Sequence, residues 1–137
     1  MYRVGIKRPF KASHFLAGDF EDESRPHEHT YTADWIMEVD GLDENGFSVD
    51  IALMEELLEE VTTSVEGVLL NDLPFFENRQ SSVENTAEYL SRELFEKLAE
   101  RGASLERLRR SEMRIWENDS AWASYATEDP SHRNRPK

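Results

Sequence analysis

The chain contains no cysteine, and none of its apolar runs approaches the ~18 residues of a membrane-spanning helix. Without cysteine the protein can form neither a disulfide framework nor a thiolate zinc site, and it has no cysteine nucleophile. The first residues also lack the apolar segment of a signal peptide. These absences predict a cytoplasmic protein without a membrane partner, and a length of 137 residues suits one domain.

Positive charge is scarce as well. The 16 lysines and arginines stand against 29 aspartates and glutamates, which gives a formal net charge of −13. Nucleic acids and anionic membranes are bound mainly through clustered Lys and Arg side chains. The charge balance therefore argues against nucleic acid as a partner, and we expect most of the acidic residues on solvated helix surfaces.

Alternating apolar residues predict two strands in the first third of the chain, at residues 2–6 and 27–39. A helix follows them, because Asp50 is a suitable N-cap and residues 53–65 place one apolar stripe along a helix. A second helix is predicted to begin where Ser81 and Glu84 form a capping-box pattern.

The second helix is predicted to end at Gly102, and residues 113–117 and 121–127 predict two further strands. The order β-β-α-α-β-β is that of an α+β protein. We expect one domain over residues 1–128 and a disordered tail over residues 129–137.

Three of the four histidines lie early in the chain, as His14, His27 and His29. Residues two apart on a strand share a face, so His27 and His29 can reach one metal ion, and His14 from a neighbouring strand would complete the set. Three neutral imidazoles leave the fourth position of a tetrahedral zinc ion free for water or substrate. Ordinary surface histidines are the alternative for an H-x-H pair taken alone.

Six short segments occur in the order found in a known family. They lie at residues 10–14, 27–29, 46–50, 70–72 and 82–85, and at Glu117 ahead of Tyr125. Through them the chain resembles the 6-pyruvoyl-tetrahydropterin synthases and the related 6-carboxytetrahydropterin synthases of queuosine biosynthesis. The resemblance implies the tunnelling fold: a four-stranded antiparallel sheet backed by two helices, with three subunits joining their sheets into a barrel and two trimers often stacking.

The resemblance also implies a small-molecule pterin as partner and Zn²⁺ as cofactor, with His14, His27 and His29 as zinc ligands. Glu117 matches the family's pterin anchor, a role that suits a carboxylate because the pterin presents two parallel N–H donors. An exposed strand-end glutamate is the other interpretation of Glu117. Asn71 matches a family position too, but a turn residue explains it equally well.

Glu84 also matches a family position, and a helix N-terminal acid is its equally good alternative explanation. Arg25 lies where the carboxytetrahydropterin branch has arginine, and it can meet a substrate phosphate or be an ordinary surface residue. Glu28 stands where the family usually has glycine, and strand alternation points its side chain away from the metal.

The catalytic machinery departs from the family pattern. The family's cysteine base, four residues before the first histidine of the H-x-H pair, is Glu23 here, and its Asp-His pair is Glu66-Gly67. With a reference pKa of about 4.3 against about 8.5 for cysteine, a glutamate base needs a desolvated pocket. One branch, the type III synthases, carries glutamate at this position and is associated with cleavage of dihydroneopterin to 6-hydroxymethyl-dihydropterin.

The resulting hypothesis is a zinc-dependent lyase or synthase that acts on the C6 side chain of dihydroneopterin or its triphosphate. Glu23 would move the proton, and Glu66 would be a remnant of the proton relay. The absent histidine favours the alternative of a non-catalytic or differently specific pterin-binding homologue. Apart from the resemblance, the chain can also be interpreted as an acidic α+β interaction domain with an incidental metal site.

Overall fold

The computed structural model describes residues 1–130, which form a four-stranded antiparallel sheet with two helices packed on one face. The predicted element order and fold class are confirmed. Neighbouring strands pair in the order β1-β2-β3-β4. The strands are β1 (Tyr2–His14), β2 (His27–Val39), β3 (Leu108–Trp116) and β4 (Trp122–Glu128), and the helices are α1 (Ile51–Val65) and α2 (Val83–Glu100).

The long β1–β2 hairpin decides where the histidines lie. Its register runs without a break from the pair Tyr2 and Val39 to the pair His14 and His27. Alternate residues of β2, from Tyr31 to Val39, are buried against the helices, as the sequence pattern predicts. β1 is longer than predicted, because its pairing with β2 continues past residue 6 to His14.

The two helices begin at side-chain caps. Asp50 accepts a hydrogen bond from the backbone N–H of Leu53, so the predicted cap of α1 is confirmed. The predicted cap of α2 is wrong by one residue: Ser82, not Ser81, accepts from the backbone N–H of Asn85. Ser81 is instead buried and turned towards β1, because its hydroxyl and carbonyl are used there.

The hydrophobic core lies between the sheet and the helices, and Trp35 and Tyr31 are its largest fully buried side chains. Within residues 1–130, no helix is both long and apolar enough to cross a membrane. The predicted disordered tail falls mostly on residues 131–137, which lie outside the described residues.

Candidate metal centre

The three histidines meet at one end of the β1–β2 hairpin. The strand register places His14 opposite His27, and the alternation of β2 brings His29 onto the same face. The ring centroids are 4.5 Å apart for His14 and His27, 4.8 Å for His27 and His29, and 5.2 Å for His14 and His29. The convergence predicted from the sequence is present in the structure.

Backbone carbonyls fix the tautomers of two of these rings. Nδ1 of His14 lies 2.7 Å from the carbonyl oxygen of Ser81, and Nδ1 of His27 lies 2.7 Å from that of Arg25. A carbonyl can only accept, so each Nδ1 must donate, and in the neutral ring Nε2 then carries the lone pair. Such second contacts are typical of histidines that ligate metals.

The Nε2 atoms of the three histidines are buried and form no hydrogen bond within residues 1–130, although two of them lie near a carboxylate. Within the described residues, Nε2 of His14, of His27 and of His29 has no hydrogen-bond partner. A buried polar atom left unpaired costs about 1–3 kcal/mol. Three such atoms directed at one small volume are the donor set of a three-histidine zinc site, so the residues present fit the metal.

Glu23 completes the cluster. It lies in a short 3-10 turn, Glu21–Ser24, between β1 and β2, and its Oε2 is 3.0 Å from Nε2 of His27. The ligand atoms of Glu23 and the three histidines all lie within 4.8 Å of one another. Because a carboxylate and an imidazole lone pair are both acceptors, their approach is favourable when a cation or a proton lies between them.

Burial keeps His14 in the form that binds metal. The side chain is 3% exposed, and this burial lowers the pKa of His14. The hydrogen bond to Ser81 opposes the shift only in part, and the neighbouring rings of His27 and His29 reinforce it. His14 is therefore neutral at pH 7, as a ligand must be.

Glu117 borders the cluster from the end of β3. Its backbone N–H donates to the carbonyl of Ala121, and its Oε1 lies 3.6 Å from Nε2 of His29. Tyr31 lies beside the rings, with its centroid 5.4 Å from that of His29. Burial raises the pKa of Tyr31, and the charges of Glu117 and Glu23 raise it further, so the phenol is neutral. The histidine cluster thus has two carboxylates beside it, that of Glu23 near His27 and that of Glu117 near His29.

Other residues predicted for the site lie outside the cluster. Glu66 is exposed, and its Oε2 accepts from the backbone N–H of Lys11 at 2.9 Å. Glu84 is exposed in the first turn of α2. Arg25 contributes its carbonyl to His27, and no bond of its side chain enters the cluster.

Asn71 lies behind His14, where its amide contacts backbone. Its Oδ1 accepts from the N–H of Phe15 at 2.9 Å, and its Nδ2 donates to the carbonyl of Phe15 at 3.0 Å. Ser81, which the sequence pattern suggested as a helix cap, was missed as a site residue. Its capping-box match indicated only a helix N-terminus, and its contact with His14 becomes evident only in the structure.

Comparisons with known proteins identify the family and the fold of the chain. The sequence model of the family described as 6-pyruvoyl tetrahydropterin synthase matches residues 3–128. A protein of Archaeoglobus fulgidus assigned as a 6-carboxy-5,6,7,8-tetrahydropterin synthase is 27% identical over 121 residues, which cover 88% of this chain and 91% of that protein.

Two solved structures have the same fold. A variant of Plasmodium vivax 6-pyruvoyltetrahydropterin synthase, in which a catalytic glutamate is replaced by cysteine, superposes with a TM-score of 0.76 at 14% identity. The Caenorhabditis elegans 6-pyruvoyl tetrahydropterin synthase gives a TM-score of 0.69 at 23% identity. Each match covers 93% of this chain and 98% of the other chain, so the likeness extends over the whole fold.

Proposed function

Because the chain belongs to the 6-pyruvoyl tetrahydropterin synthase family, we propose that it is a zinc-dependent lyase or synthase. Its substrate would be dihydroneopterin or dihydroneopterin triphosphate, and the reaction would take place on the C6 side chain. The observation that carries the proposal is the set of three buried, unpartnered Nε2 atoms, with the carboxylates of Glu23 and Glu117 beside them.

His14, His27 and His29 would hold the zinc ion through their Nε2 atoms. When bound, the ion supplies Lewis acidity that makes the hydroxyl groups of the substrate side chain more acidic. The carbonyls of Ser81 and Arg25 keep the Nε2 lone pairs of His14 and His27 available for it.

Glu23 is the proposed general base. Its Oε2 lies 3.0 Å from Nε2 of His27, and its side chain is 52% exposed, so a substrate can reach it. The single chain does not provide the desolvated pocket that a glutamate base needs, so the bound substrate would have to exclude water from this carboxylate. The carboxylate would take a proton from the substrate side chain and return it at the neighbouring atom. The Plasmodium vivax synthase supports this role, since a glutamate is named as a catalytic residue in that protein.

Glu117 is the proposed anchor of the pterin ring. An ionised carboxylate can accept from the exocyclic amine and the adjacent ring N–H together. Its position, 3.6 Å from His29, would leave the C6 side chain of an anchored ring close to the histidines. Glu84 as a substrate contact and Glu66 as part of a proton relay stay predictions.

A second candidate function is pterin binding without this chemistry. Gly67 occupies the position where the family's catalytic histidine is expected, so no side chain there can pass on a proton. The Glu66 carboxylate beside it accepts from the backbone of Lys11. These two features favour a binding protein or an enzyme with a different substrate.

The proposed assembly is a homo-oligomer, a trimer or a dimer of trimers. β1 and β4 are the edges of the sheet in a single chain, and exposed edge strands are commonly covered by pairing with another chain. Joining β1 of one subunit to β4 of the next would cover both edges. A cytoplasmic location stays a prediction.

The test is to incubate zinc-loaded protein with dihydroneopterin and, separately, with its triphosphate, and to identify products by mass spectrometry. Glu23→Ala is the informative variant. Glu28→Ala is its matched control, because Glu28 lies between His27 and His29 but is exposed on the other face of β2.

A hydroxymethyl, pyruvoyl or carboxy product that disappears in Glu23→Ala and persists in Glu28→Ala would support the enzyme and identify its branch. Tight pterin binding without any product would favour the binding protein. Equal turnover by wild type and Glu23→Ala would contradict the role of Glu23.

A further inference from the structure

The segment that follows His14 is held by side-chain amides instead of a neighbouring strand. β1 and β2 stop pairing at His14 and His27, so the backbone of residues 15–17 continues beyond the hairpin. Asn71 pairs with both the N–H and the C=O of Phe15, at 2.9 and 3.0 Å. Two residues further on, Gln80 pairs with both groups of Ala17, at 2.9 and 2.7 Å.

These two amides continue a pattern that begins on the strand. The N–H of Ser13 donates to the carbonyl of Val68, and Ser13 forms an isolated parallel bridge with Leu69. The backbone groups of residues 13, 15 and 17 thus all form hydrogen bonds on the same side of the segment, with Val68, Asn71 and Gln80. A side-chain amide presents one acceptor and two donors, so it can replace a peptide group of a neighbouring strand.

Ser81 connects the Asn71 amide to the metal ligand. Its Oγ lies 3.0 Å from the Oδ1 of Asn71 and 3.0 Å from the carbonyl of Phe15, and its own carbonyl accepts from Nδ1 of His14. Ser81 is 1% exposed and His14 is 3% exposed, so water cannot readily replace these bonds. Asn71, Phe15, Ser81 and His14 therefore form one polar network, which is buried at Ser81 and His14 and partly buried at Asn71 and Phe15.

The same segment supports Glu23 on its other side. The backbone N–H of Leu16 donates to the carbonyl of Glu23 at 2.8 Å. Residues 15–17 are thus held by Asn71 and Gln80 along one edge, and they hold the turn that carries Glu23 along the other. A displacement of Phe15 and Leu16 would move a histidine ligand and the nearby carboxylate together, whereas the Gln80 pair holds only Ala17, beyond both of them.

We infer that Asn71 is a positioning residue of the metal centre, which acts through Ser81 and Phe15 to hold His14 and Glu23. Its Oδ1 accepts from Phe15 and lies 3.0 Å from the Oγ of Ser81, and its Nδ2 donates to Phe15, so the acceptor and one of the two N–H donors of this amide are used within the chain. The substrate contact that the sequence suggested for Asn71 stays a prediction beside this positioning role. The inference rests on the proposed zinc site and adds to it a residue that does not touch the metal.

The first experiment measures zinc affinity by competition with a chromophoric chelator for the wild type, Asn71→Ala and Gln80→Ala. Loss of a direct hydrogen-bond partner of a ligand weakens metal binding about 10–100-fold. Asn71 lies one contact further out, behind Ser81, so we expect Asn71→Ala to weaken zinc binding by about tenfold, the lower end of that range. Gln80→Ala is the matched control, because it removes the same kind of amide pair, and the side-chain amide of Gln80 bonds the backbone of Ala17 instead of Ser81 or His14. We expect its affinity to stay within about threefold of the wild type.

The second experiment needs no metal. The Nδ1 proton of His14 is observed by NMR in metal-free protein, where its bond to Ser81 should slow its exchange with solvent. In Asn71→Ala we expect exchange to become faster by about tenfold or more, because local opening becomes easier, whereas Gln80→Ala should leave it unchanged. A variant that merely lost global stability would show a lower melting temperature without this selective change.

Ser81→Ala is a milder variant for the case that Asn71→Ala does not fold. It removes the Oγ bonds and keeps the carbonyl that His14 uses, so we expect zinc affinity to fall by about threefold or more. The inference is overturned if the variants that fold bind zinc like the wild type and keep the His14 proton protected. Failure of the wild type to bind zinc would instead contradict the proposed function, and the NMR comparison would still decide the role of Asn71.

Discussion

Two buried polar clusters lie on opposite faces of the same sheet, and they differ in whether their polar atoms are paired. On the helix-covered face, His14 is 3% exposed and its Nε2 has no partner. On the other face, Glu112 is 4% exposed, and its two oxygens accept from Arg110 at 3.0 Å and Arg114 at 2.7 Å. Ser124 adds a further hydrogen bond to that carboxylate.

This difference in the pairing of polar atoms distinguishes the histidine cluster, a candidate ligand site, from the structural cluster around Glu112. Buried polar groups in native proteins are nearly always paired, so unpaired atoms that converge need an explanation. Glu112 needs no external group, because its partners are within the chain. The histidine cluster could hold a cation, and we propose that such an ion joins its lone pairs. Burial and polarity are common to both clusters, so pairing alone distinguishes them.

The largest expected effect is on catalysis at the unpaired cluster. Glu23→Ala should lower the turnover number by roughly 10²–10⁴-fold, which is the usual contribution of a general base. Zinc content should stay at the wild-type level, because the three histidines remain. Steady-state kinetics and metal analysis of the same preparations check both parts, and loss of zinc with turnover would assign Glu23 to the metal instead.

The next effect is the stabilisation of the fold by zinc. A ligand that binds only the folded state at 100 times its Kd raises the free energy of unfolding by about 2.7 kcal/mol. We expect this increment in the wild type and also in Glu112→Gln, because the two clusters share no residue. Denaturant unfolding with and without zinc measures it. A zinc increment that depended on Glu112 would show that the clusters are coupled.

A smaller effect is expected at the edge of the metal centre. Glu117→Gln keeps the size of the side chain but can accept only one of the two pterin donors, so pterin affinity should fall by roughly 10–100-fold. Zinc affinity should change little. Equilibrium binding of the pterin to zinc-loaded protein is the measurement, and unchanged affinity would leave Glu117 as an ordinary strand-end residue.

The smallest effect concerns the paired cluster and its pH dependence. Burial by itself would raise the pKa of Glu112, but the hydrogen bonds from Arg114 and Arg110 outweigh it and hold the pKa below the usual value. Glu112→Gln should therefore cost about 1–3 kcal/mol at pH 7. This difference should be complete above the unfolded-state pKa and disappear as pH falls through the lower folded-state pKa.

Denaturant unfolding at a series of pH values measures that difference. Glu38→Gln is the control, since the ion pair of Glu38 with Arg3 at 3.3 Å is more exposed, and such pairs contribute about 0–1 kcal/mol. A constant Glu112→Gln difference at all pH values would show that charge is not what Glu112 supplies.

Strand periodicity was sufficient to predict that His27 and His29 share one face of a strand. The alternation from His27 to Val39 gives β2 its bounds and puts His27 and His29 on one face. Sequence spacing carries this information because a strand has a fixed side-chain period. The strand predicted over residues 2–6 stopped short of His14, and the position of His14 opposite His27 follows from the observed pairing of β1 with β2.

Contacts between distant parts of the chain determine two features that the sequence pattern does not predict, the N-cap of α2 and the burial of Glu112. Ser81 and Ser82 are both suitable helix caps, and the choice of Ser82 follows from the use of Ser81 by His14 and Phe15. Glu112 also gave no sequence signal, since an acid flanked by arginines two residues away resembles an exposed polar face. Its burial depends on the strands on either side.

The most direct test of the central claim is a calorimetric titration of metal-free protein with zinc. We predict saturable binding of one zinc ion per chain in the wild type and in Glu112→Gln, and none in His29→Ala. Absence of binding in the wild type, or equal binding in His29→Ala, would contradict the assignment of the unpaired histidine cluster as the zinc site.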